Sequence, residues 1–264
     1  MRRVVVTGIG AVSCLGNCWQ ETWDNLTAGR SGIGRITRFD PTGLPNTGGE
    51  VRGLVLNGVS PKEQRRMGRG PQFAVAAAEE ALRQAGLDKD RNEDPFRFGS
   101  LVSCGAGGVE DYDHAVEMLN RRGPGGVSAF FVPKFMPNSA TGTLAIRYGL
   151  RGPNFNTASA CASGSHSLGE AMWMIRRGDA DLMLAGGAEA SLNKTMMSGF
   201  HSLTALSCNP CPERACRPFE LNRDGFVLSE GAAIFVLEEL EHARKRGAVI
   251  LAPPPNVHFA WQHS

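Results

Sequence analysis

The 264-residue sequence predicts an α/β fold in which a mostly parallel or mixed sheet is layered by helices. Short β-branched runs such as Val4-Val5-Val6 alternate with stretches whose apolar residues recur at helical spacing. Many of the 33 glycines sit beside those runs or in pairs such as Gly186-Gly187, which suits tight strand-to-helix turns. A hydrophobic content of 42% over this length supplies a large core, in one big domain or two small ones.

Val4 to Thr7 reads as a buried strand that ends in a glycine turn at Gly8-Ile9-Gly10. A helix follows, capped by Asn17, with Trp19, Trp23 and Leu26 at helical spacing and Gly29 as its stop. The glycine turn does not complete a dinucleotide fingerprint, because Ser13 stands where a third glycine is needed. Arg30 to Gly70 reads as irregular surface structure with a short apolar run from Val51 to Val59 and a basic end at Lys62, Arg65, Arg66 and Arg69. A strong helix then runs from about Pro71 to Gln84, where proline fits the first turn, alanines favour helix and Gly86 stops it. Phe98 to Ser103 is the next strand and Val109 to Arg122 the next helix. Pro137 and Asn138 open another helix, through Leu144, Ile146 and Tyr148 to Gly149.

Asn154 to Ser159 alternates like a strand, Ala160 to Gly164 is built of small residues, and His166 to Arg177 is helical, with Leu168, Met172 and Ile175 on one face. Asp181 to Ala185 reads as a buried strand with a turn at Gly186-Gly187. Phe200 to Ser229 is loop-like, with Pro210, Pro212 and Pro218. A strand from about Ala232 to Leu237 and a charged helix from Glu238 to Arg246 complete the pattern.

The 28 basic and 26 acidic residues leave a formal charge of +2, so no polyelectrolyte argument points to nucleic acid or to an anionic membrane. No apolar stretch approaches the roughly 18 to 20 residues that span a bilayer, and Met1-Arg2-Arg3-Val4 leads straight into a strand. The expectation is a soluble, cytoplasmic protein without a targeting peptide. Seven cysteines, an odd number, argue for reduced thiols. Cys208, Cys211 and Cys216 with His201 formally offer four zinc-type ligands, but a second Cys-x-x-Cys pair is missing and loop thiols are the better reading. No metal or cofactor is expected.

Cys161 carries the chemistry. It lies between a predicted strand and a predicted helix, among residues small enough for a sharp turn that thrusts a side chain into a pocket. A free thiol of ordinary pKa, about 8.5, is only a few per cent thiolate at neutral pH, and a helix N-terminus can lower that value. The pattern also suits a cysteine packed because it is small, and the residues alone leave both readings open. His166 is close in sequence, but five residues place it about 140° round a helix from Cys161, so it reads as structural or supporting.

Several runs occur in an order and spacing that resemble the β-ketoacyl-(acyl carrier protein) synthase family. They are Val4 to Gly10, Phe130 to Pro133, Gly149 to Asn154, Thr157 to Gly164, Gly178 to Asp181, Arg217 to Phe219, Arg223 to Val227 and Glu230 to Ala232. The resemblance covers about residues 1–248 and is nearest to the free-standing type I/II enzymes of fatty-acid synthesis. It implies a thiolase-like fold of which this chain supplies one layered αβα half, usually within a homodimer. It further implies that Cys161 takes an acyl group from acyl carrier protein, after which malonyl carrier protein is decarboxylated and condensed. By similarity, Ala106 and Phe200 stand at acyl-pocket positions, Phe131 is lent across the dimer interface, and Lys62, Arg65 and Arg66 belong to a basic patch for the acidic carrier protein. Core packing or a solvated charge run are the plainer alternatives for these positions.

Relatives stabilise the enolate of decarboxylation with a His-Gly-Thr motif and a later Lys-x-x-x-Gly-His motif, and neither occurs in the sequence. Residues 249–264, with Pro253-Pro254-Pro255, His258, Trp261 and His263, have no family counterpart and read as the product of a truncation, a frameshift or a mispredicted junction. Condensation by this chain alone is therefore not expected. The alternative to an enzyme is a non-catalytic fragment that dimerises with a synthase or binds carrier protein.

Overall fold

The computed structural model describes residues 1–87 and 93–252. The strands are β1 (Val4–Val12), β2 (Gly34–Arg35), β3 (Thr47–Gly48), β4 (Phe98–Ser103), β5 (Leu182–Glu189) and β6 (Gly231–Glu239). The helices are α1 (Trp19–Thr27), α2 (Pro61–Gln64), α3 (Arg69–Gln84), α4 (Val109–Arg122), α5 (Phe131–Phe135), α6 (Ser139–Tyr148), α7 (Ser163–Arg177), α8 (Lys194–Ser202), α9 (Pro212–Ala215) and α10 (Leu240–Lys245). Among the described residues no helix is long and apolar enough to cross a membrane.

The main sheet is mixed and ordered β1-β6-β5-β4, with β4 and β5 parallel and the other two pairings antiparallel. Strand alternation feeds two cores. Leu182 and Leu184 of β5 join Val102, Ile234 and Val236 against α3 and α6 on one face. Met183 and Ala185 join Leu101 and Leu237 against Ala171, Met172 and Ile175 of α7 on the other. Helices therefore cover both faces, which is the layered αβα arrangement expected. The β2–β3 hairpin and its surroundings are pinned by carboxylates. Glu50 accepts from Thr37 and Arg38, and the fully buried Glu230 carboxylate accepts from the Val51 N–H and pairs with Arg38 and Arg69.

Two expected glycine turns are strand. At β1, a Cβ on Gly8 would lie 2.1 Å from the Ala81 carbonyl oxygen, and one on Gly10 1.9 Å from that of Ala77. These glycines let the backbone of α3 lie directly on the strand. At β5, Gly186 and Gly187 continue the ladder, because Gly187 faces Gly164 of α7 and Gly186, at φ +152°, faces the Ala233 carbonyl. In each case glycine marks close approach of another backbone, which leaves the same sequence signature as a turn.

The expected strand from Asn154 to Ser159 is also corrected. It forms a single bridge, Asn154 to Ser100, and the rest runs irregularly past the β4 edge. The cap of α1 is Cys18, whose sulfur accepts from the Glu21 N–H, whereas Asn17 reaches the Arg52 carbonyl. Helix α8 covers residues 194–202, a stretch to which the sequence reading assigns no element before Phe200 and loop from Phe200 on. Beyond residue 248, the chain returns to the sheet edge, where Val6 exchanges backbone hydrogen bonds with Leu251 and Ala252 at 2.9 Å each. The proline run 253–255, His258, Trp261 and His263 lie outside the described residues.

Candidate active site

Helix α7 begins at Ser163, three residues before its predicted start, and is preceded by a single 3₁₀ turn over Ala160–Ala162. Its N-cap, Ala162, supplies no side-chain oxygen, so the positive end of the helix dipole is left open one residue after Cys161. Cys161 is exposed in the middle of the 3₁₀ turn. The preceding Ala160 has φ +51°, a left-handed conformation that costs an alanine about 1 kcal/mol and persists only where neighbours enforce it.

The neighbours are hydroxyls. Ser163 Oγ accepts from the Ser159 N–H at 2.9 Å and donates to the Ala160 carbonyl at 2.8 Å. Ser167 Oγ donates to the Ser163 carbonyl at 3.0 Å and lies 2.6 Å from Ser103 Oγ of β4. Thr157 Oγ1 donates to the Ser163 carbonyl at 3.1 Å while its N–H donates to Ser103 Oγ at 2.8 Å. The His166 ring is engaged by Ser159, with Nδ1 2.6 Å from Oγ.

A second loop, residues 104–108, abuts the turn. A Cβ on Gly105 would come 3.3 Å from the Ala160 carbonyl oxygen. Glu189, at the end of β5, accepts from the Gly105 and Ala106 N–H groups at 2.7 and 3.2 Å and from Ser191 Oγ at 2.7 Å. Ala106 is thus placed by its backbone next to the Cys161 turn. The adjacent Cys104 thiol donates to the Pro137 carbonyl, and burial together with the Glu189 charge pushes it up to about 11. Cys104, Lys134, Ser139 and Glu189 line a small cleft that Cys161 does not reach.

The remaining expected positions lie on other elements. Phe131 opens α5 and stacks on Phe135 with centroids 5.6 Å apart, beside Tyr112 of α4. Phe200 in α8 meets Phe226 edge-on at 5.2 Å and packs on Ile36, Leu192 and Met197. Lys62, Arg65 and Arg66 are all exposed on α2 and the turn after it, with the Arg66 guanidinium 5.0 Å above the Phe130 ring. Among the described residues no three His, Cys, Asp or Glu are grouped to hold a metal ion, and Cys211 instead donates to Glu213. Sequence reasoning missed the Ser163 bridge and the Glu189 clamp. Only the density of hydroxyl residues from Thr157 to Ser167 hinted at the first.

Residues 1–243 match the model of the β-ketoacyl synthase N-terminal domain. The chain belongs to the β-ketoacyl synthase family. This synthase chain is 45% identical over 253 residues to 3-oxoacyl-(acyl-carrier-protein) synthase 2 of Staphylococcus aureus (strain COL), which covers 95% of this chain and 61% of that protein. Its fold is similar to a β-ketoacyl synthase from Burkholderia phymatum STM815, with a TM-score of 0.85, 36% identity, and 95% of this chain and 62% of the other covered. It is also similar, with a TM-score of 0.83 and 33% identity over 94% of this chain and 61% of the other, to the complex of a type II PKS acyl-carrier protein with its ketosynthase bound to a hexaketide. The thiolase-like fold of these synthases is therefore the fold of this one. The chain spans about three fifths of the length of the relatives it matches.

Proposed function

We propose that this chain carries the acyl-transfer half-site of a β-ketoacyl-(acyl carrier protein) synthase of fatty-acid synthesis, with Cys161 as the acyl acceptor. The observation that carries the proposal is the exposed Cys161 on a strained turn at an uncapped helix N-terminus. Its thiolate attacks the thioester carbonyl of an acyl carrier protein, the carrier's thiol leaves, and an acyl-cysteine remains. Decarboxylative condensation with malonyl carrier protein draws on the histidine and lysine motifs that these 264 residues do not contain, so it belongs to the complete enzyme.

The exposed cations Lys62, Arg65 and Arg66 support docking of an acidic carrier protein. Ala106, held against the Cys161 turn, and Phe200 are proposed to border the acyl chain, with the small Ala106 leaving room for long chains. Phe131 is proposed to reach a partner subunit in a homodimer. The irregular edge beyond β4, with Phe155 exposed, supports such pairing. Free thiols at all seven cysteines suit a reducing cytoplasm.

The test is incubation of the purified chain with an acyl carrier protein thioester and intact-mass analysis. One acyl mass is gained by the parent and none by Cys161→Ser under the same conditions. A parent chain that gains nothing overturns the proposal.

A further inference from the structure

We propose that Ser163 is the positioning residue for the Cys161 thiol, its side chain clamping shut the turn on which that thiol is carried. The proposal rests on the reading of Cys161 as a nucleophile, but concerns how the thiol is held. Ser163 is 2% exposed, and its hydroxyl uses both its functions within one turn, bridging the Ser159 N–H and the Ala160 carbonyl. Those two groups lie on the residues immediately before Cys161. The bridge spans the point where Ala160 is bent to φ +51°. Without it the Ser159 N–H loses its partner and the alanine is free to relax from the left-handed region.

The clamp is itself anchored. Ser167 and Thr157 both donate to the Ser163 carbonyl, and both are tied to Ser103 on β4. A line of hydroxyls therefore runs from a core strand to the reactive turn. Ser163 is the member that touches the residues flanking Cys161. A buried alanine there would fill nearly the same space, so packing alone does not explain a hydroxyl. Its function is to hold the thiol where the open end of α7 acts on it.

The test compares Ser163→Thr with Ser163→Val, which add the same branch to the side chain and differ in the hydroxyl, alongside Ser163→Ala. Iodoacetamide alkylation of the full chain is followed at the Cys161 peptide by mass spectrometry from pH 6 to pH 10. The Val and Ala variants are expected to react about tenfold slower at pH 7 than the parent, and the Thr variant within about threefold. Val and Thr profiles that coincide overturn the proposal, whatever their thermal stability. Alkylation reports on the thiol regardless of its substrate. A parent chain that alkylates normally yet takes no acyl group would therefore sink the acyl-acceptor reading, while the Val-to-Thr comparison still decides the clamp.

Discussion

Two cysteines near one turn have opposite surroundings, and that contrast gives a residue-scale prediction. Cys104 is held by burial and by Glu189 at about 11, so only about a thousandth of it is thiolate at pH 8. Alkylation at pH 8 is expected to leave Cys104 unmodified while the exposed Cys161 reacts, and Glu189→Gln should make Cys104 react sooner as the pH is raised. Prompt labelling of Cys104 at pH 8 would refute this, read from the two peptides in one digest. Sequence singled out Cys161 because small residues surround it and its motif matches a family. It gave no reason to separate Cys104, since the carboxylate beside that thiol comes from the end of β5, 85 positions away.

At the scale of elements, helix α10 illustrates what spacing showed and what it left out. A charged helix was legible there, but not its docking. Glu238, fully buried in β6, accepts from Arg246 and lies 2.7 Å from Nδ1 of His242, while Nε2 of the same ring is 2.9 Å from Glu93. The Glu238 hydrogen bond, opposed by burial and helped by the charges of Glu238, Glu93 and Asp181, raises His242 above its ordinary value. A group raised on folding stabilises the fold fully below its unfolded value, about 6.5, and loses that contribution as the pH rises through its folded value. The attachment of α10 is therefore expected to weaken on the alkaline side of pH 6.5. His242→Gln should cost about 1 kcal/mol at pH 6 and progressively less above it. Urea unfolding of both proteins at pH 6 and pH 9 checks this, and a constant difference would count against it. The glycine strands β1 and β5 teach the complementary lesson, because glycine reports that a backbone needs room without saying whether for a turn or for a neighbouring helix.

For the molecule as a whole, the apolar surface is the informative quantity. Tyr112, Val132, Phe135 and Met136 are exposed together on α4, α5 and the residue following, a cluster that charged surfaces of monomers do not usually carry. Were this the proposed dimer contact, Val132→Asp with Phe135→Ser would reduce a dimer to monomer in sedimentation equilibrium while the circular dichroism stays that of the parent. A parent already monomeric at high micromolar concentration would remove the basis for the contact. The sequence by itself determined the α/β class, the helices α3, α4, α6 and α7 and strand β4, and it singled out Cys161 as the candidate for chemistry. Each depends on local periodicity, stop signals or a contiguous motif. The tertiary structure decided the antiparallel insertion of β6 between β1 and β5, the passage of two glycine pairs through strands, and the support of the Cys161 turn by Ser103 and Glu189. Those features depend on contacts between residues tens of positions apart, where hydrogen bonds and backbone approach are set by the packed sheet and helices and leave no periodic trace along the chain.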